Sequence, residues 1–106
     1  MMSNRTLGEK CHDAIVDAAT AKVEAIRARK LADRIFDRVF LASEGKNLDE
    51  RRANARLDPK FISAEDAAIE AESAAIIAKA QADGQQISFA EWQSKNATAR
   101  AEMQLR

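Results

Sequence analysis

Few residues in this chain have side chains suited to catalysis. Cys11 and His12 are its only cysteine and only histidine, and they are adjacent. Neighbours on a helix point about 100° apart, so this pair cannot act as nucleophile and base. Zinc would need further ligands at a suitable spacing, and none follow. Cys11 therefore reads as a small core residue and His12 as a surface one. The carboxylates have structural explanations. Glu65, Asp66, Glu70 and Glu72 suit the positive end of a helix beginning just before them. Asp33 and Asp37 stand among Arg29, Arg34 and Arg38 as salt-bridge partners along one helix. No glycine-rich phosphate loop, Ser-His-Asp set or metal motif occurs. The expectation is a non-enzymatic protein with no catalytic residue, cofactor or metal.

One cluster of charge has binding potential. Arg34, Arg38, Lys46, Arg51, Arg52, Arg56 and Lys60 gather in the middle of the chain, interleaved with Asp37, Glu44, Asp49, Glu50 and Asp58. On a short helix Arg51, Arg52 and Arg56 share a face and, with Lys60, could touch phosphates or a protein partner. The interleaved acids and the absence of tyrosine point instead to salt bridges that order a loop. Charge is balanced, 17 basic against 17 acidic with a pI near 6.6. A dedicated duplex-DNA binder usually has a basic excess.

Two long helices must carry these residues. From Leu7, steps of four and three pass through Cys11, Ala14, Ala18, Ala21, Ala25, Ala28, Ala32, Ile35 and Val39 without meeting a polar residue. A seam with a 3.5-residue period means a helix packed lengthwise on another. Thr6-Leu7-Gly8-Glu9 fits a capping box, with frayed residues Met1 to Arg5 before it. Ser43-Glu44-Gly45-Lys46 reads as the stop at about residue 42, with Gly45 in the left-handed conformation. Asn47 caps a short helix of about residues 48–57, which ends because Pro59 disfavours helical geometry at Asp58. Phe61 and Ile62 are expected to fold back on Phe36 and Phe40.

Ser63 through Asp66 is a further capping signature, opening a helix over about 64–105. Its seam runs Ala64, Ala68, Ala71, Ala75, Ala78, Ala82, Gln85, Phe89, Trp92, Asn96, Ala99, Met103. Gly84 leaves two readings. The unbroken phase favours one continuous helix at a cost of roughly 1 kcal/mol. The Ser88-Phe89-Ala90-Glu91 capping box favours a kink at 84–87.

The fold class is all-α: a single antiparallel helical hairpin with an alanine-rich, coiled-coil-like seam. With the turn centred on residues 43–62, Ala18 faces Phe89, Ala14 faces Trp92 and Cys11 faces Asn96. A second stripe of Val16, Ala19, Val23 and Ile26 on the first helix, and of Ile69, Ile76 and Ile87 on the second, remains uncovered. With 23 alanines in the chain, the seam alone stabilises weakly. A homodimer forming a four-helix bundle would cover both stripes.

No run of 18 or more uncharged apolar residues exists, and the N-terminus lacks a signal peptide's hydrophobic block. One cysteine suits a reducing compartment. The expectation is a cytoplasmic protein without a membrane partner.

Leu41-Ala42-Ser43-Glu44-Gly45-Lys46, the stretch from Glu50-Arg51-Arg52 to Arg56, then Gln93-Ser94 and Glu102 resemble small helical-hairpin proteins of tailed phages and prophages. The resemblance implies an accessory or inhibitor protein in a bacterial host, acting on another protein. Alternatively it implies an accessory role in recombination or replication near single-stranded DNA. It brings no catalytic residue with it.

Overall fold

The computed structural model describes residues 6–105, so the frayed start expected at Met1–Arg5 lies outside them. Three helices account for nearly all of the described residues: α1, Leu7–Ala42; α2, Leu48–Arg56; and α3, Pro59–Leu105. α1 and α3 run antiparallel as a long hairpin, and α2 packs across its closed end. The molecule measures 85 × 31 × 14 Å.

Each start is set by a side chain that accepts a free amide. Thr6 Oγ1 accepts from Glu9 N at 3.1 Å, and Asn47 Oδ1 from Glu50 N at 2.8 Å. α3 begins five residues earlier than its sequence signature suggests. Asp58 Oδ1 accepts from Lys60 N at 2.8 Å, and the Asp58 carbonyl accepts from Ile62 N at 3.0 Å. Pro59 then occupies the first helical position, where its missing N–H costs nothing. The same proline that ends α2 thus opens α3, and Ser63 lies inside the helix. Glu65, Asp66, Glu70 and Glu72 are consequently not first-turn acids.

α3 runs unbroken through Gly84, so the kink expected as an alternative at 84–87 does not form. Gly45 also departs from expectation, since no described glycine has positive φ. Ser43 caps α1 in extended conformation. Gly45 is required for space instead: a Cβ there would lie 2.8 Å from Arg51 N and 2.9 Å from Arg51 Cγ.

The alanine seam is the core. Every seam position of α1 from Leu7 to Val39 is buried or half-buried, as is every position of α3 from Ala64 to Phe89. Ala32 and Ala68 are wholly covered. Such small side chains let the two helices approach closely, and among the described residues no large side chain is fully buried.

The register differs from the one expected. Gly8, not Ala18, meets Phe89: a Cβ on Gly8 would lie 3.5 Å from Phe89 Cε2. At the closed end Phe36 packs edge-on against Phe61, with ring centroids 5.1 Å apart. Facing residues therefore have numbers adding to about 97 rather than 106 or 107. Trp92 lies by Thr6, Leu7 and Gly8 rather than by Ala14. Asn96 falls beyond the start of α1, so it does not face Cys11, which is buried elsewhere along the seam. The contacts of Phe36 with Phe61 and of Gly8 with Phe89 hold this register, while α2 lies across the hairpin's end with its Ala55 fully buried there. Phe61 joins Phe36 as expected, whereas Ile62 points to solvent.

Candidate interaction surfaces

The expected uncovered stripe is present as read. Val16, Val23 and Ile26 on α1 are each nearly half exposed, and Ile69, Ile76 and Ile87 on α3 are exposed by half or more. Ile77, which the stripe reading missed, is also exposed beside Ile76. Burial of such side chains stabilises by about 1.5–3 kcal/mol each when complete, so their exposure leaves considerable free energy unused.

The stripe of α1 does not point directly away from α3. Ile26 lines a shallow groove of about 300 Å³ with Lys22, Ala25, Arg29, Lys30 and Glu72. Arg29 crosses the hairpin there. Its Nη1 donates to Glu65 Oε2 at 2.7 Å, and its Nη2 donates to Glu72 Oε1. The two glutamates are seven residues, or about two turns, apart on one face of α3, so a single guanidinium ties two points along that helix to α1. The hydrogen bond to Glu72, then that to Glu65, raises the Arg29 pKa above its ordinary value. The guanidinium is therefore charged at every pH below its usual titration, and the tie would loosen through Arg29 only above it. Glu65 and Glu72, which read as helix-start acids in sequence, instead anchor the register.

The basic end is divided by the fold. Arg51 turns inward: its Nε donates to Ser43 O at 3.2 Å and its Nη2 to Phe40 O at 3.3 Å. Its guanidinium also lies over the Phe40 ring at 4.9 Å. α1 has no basic residue in its own last turn, so Arg51 reaches across from α2 to satisfy those carbonyls. Arg51 thus does not share an outward face with its neighbours. Arg52, Arg56 and Lys60 do stay exposed, with Arg52 within 4.0 Å of Asp49. Asn54 Nδ2 donates to Glu44 O at 2.7 Å, which fastens the connection to α2.

A wider groove of about 800 Å³ opens at the closed end, floored by Ile35, Val39 and Pro59 and rimmed by Arg38, Asp58 and Lys60. Among the described residues no three His, Cys, Asp or Glu side chains converge as a metal site would require. No described helix is long and apolar enough to cross a membrane. No protein-family model, curated protein or solved structure matches the chain.

Proposed function

We propose that the chain is a non-enzymatic protein–protein interaction module that acts as an oligomer. A second hairpin covers its exposed stripes and closes a four-helix bundle. The observation that carries this reading is the row of Val16, Val23, Ile26, Ile69, Ile76 and Ile87, all exposed at helical spacing along a rod. The molecule exposes 8506 Å², against roughly 5900 Å² for a compact chain of its mass. That excess is more than three times the roughly 800 Å² each partner contributes to a standard interface. The resemblance to small phage proteins supports an accessory or inhibitor role for the assembled form.

Ile69→Glu with Ile76→Glu tests it, because both side chains face solvent and their loss leaves the hairpin intact. The double variant is expected to keep its helical signal and fall to a smaller mass in analytical ultracentrifugation. An unchanged mass across concentrations would overturn the reading.

The turn-end arginines support a nucleic-acid role less well, because Arg51 is committed to the chain's own carbonyls.

A further inference from the structure

α3 outruns α1. Because Gly8 sits at Phe89, residues 93–105 of α3 extend past the first turn of α1. That is about 20 Å of helix at 1.5 Å per residue. From Trp92, at the first turn of α1, the seam continues along it in phase as Asn96, Ala99 and Met103. Trp92 is 47% exposed, Met103 74% and Leu105 89%.

We propose that this overhang is a second self-association site, where the α3 ends of two copies pair antiparallel and join the rods end to end. The site uses residues separate from the stripes. Antiparallel pairing about a twofold axis sets Trp92 opposite Met103 of the other copy and Asn96 opposite its Ala99. Large side chains then meet small or flexible ones, and the methionine sulfur meets an aromatic ring. A single polar Asn in such a seam fixes the register. Lys95 lies on the flank of the seam where the other copy's Glu102 arrives, so the twofold places two opposite-charge pairs at the joint. The arriving helix end also has a seat. Thr6, Leu7, Gly8, Phe89 and Trp92 line a notch of about 390 Å³ at the first turn of α1. Leu105 of the second copy reaches that level. The excess surface of the rod is large enough for this joint as well as a stripe interface.

The test is a factorial one on the full chain, read by analytical ultracentrifugation. Variants are Met103→Glu at the overhang, Ile69→Glu with Ile76→Glu at the stripe, and both together. The wild type is expected to exceed a dimer, each single-site variant to stop at a dimer, and the combination to be a monomer. Met103→Glu matching the wild-type mass at every concentration would overturn the overhang joint and leave the stripe reading standing. A stripe variant of wild-type mass would do the reverse.

Two further readouts are specific to the joint. Trp92 is the only tryptophan. In the stripe variant its emission is expected to shift to the blue as concentration rises, and to lose that dependence when Met103→Glu is added. Lys95→Glu is expected to weaken the joint at least several-fold, and Glu102→Lys in the same chain to restore it. A concentration-independent emission, or a charge swap without restoration, would also refute the pairing.

Discussion

Arg51 shows how a residue's neighbours decide its role. In sequence it is one of three arginines on a short helix, equal to Arg52 and Arg56 as a phosphate ligand. In the folded chain it completes the hydrogen bonding of the end of α1, through Ser43 O and Phe40 O. Arg51→Ala is therefore expected to lower stability by about 1–3 kcal/mol, the cost of taking the charged donor from the Ser43 carbonyl and leaving the Phe40 carbonyl with Ser43 N alone. Arg56→Ala should change it by less than about 0.5 kcal/mol, as exposed surface changes usually do. Urea denaturation of the two variants checks this. Equal midpoints would show that the Arg51 contacts are not formed. Any assay of nucleic-acid binding should accordingly alter Arg52, Arg56 and Lys60, since a loss on removing Arg51 would mix binding with unfolding of the turn.

At the scale of elements, α3 and the alanine seam make opposite predictions for adding a methyl group or more. Gly84 lies inside a 47-residue helix, with nothing within 4 Å of where a Cβ would stand. Gly84→Ala is expected to stabilise by about 1 kcal/mol, because alanine loses less backbone freedom in a helix. Ala32 is wholly covered at the helix contact. Ala32→Leu is expected to destabilise by about 1–3 kcal/mol through overpacking. Each kilocalorie corresponds to roughly 4–8 °C in midpoint for a chain of this size. Thermal melts followed by circular dichroism decide both, and a neutral Ala32→Leu would mean that the seam is not closely packed.

For the whole molecule, the decisive quantity is surface. A rod 85 Å long and 14 Å thin cannot enclose large side chains, and none is fully buried among the described residues. Alanine-on-alanine contact supplies only small area per residue, so the isolated hairpin gains little from its core. Association adds the missing burial and couples stability to concentration. The midpoint of thermal unfolding is expected to rise as the protein is concentrated from about 1 to 100 μM, with a shift larger than in the combined stripe and overhang variant. Identical midpoints across that range would argue for a hairpin that stands alone.

The all-helical class, the two long helices, the seam and the exposed stripes were all legible in the chain, because a 3.5-residue period and capping side chains are local signals. The Asp58-Pro59 start of α3 is also written there, as a cap followed by proline at the first position, although the same proline reads equally as the stop of α2. Register was not legible. A ribbon of alanines repeats itself, so sliding one helix along the other leaves the same small side chains facing inward at each step. Long-range contacts chose among those positions: Arg29 with Glu65 and Glu72, Phe36 with Phe61, and Gly8 beneath Phe89. That choice moved Trp92 from Ala14 to the very start of α1, carried Asn96 past it, and left the end of α3 projecting beyond α1.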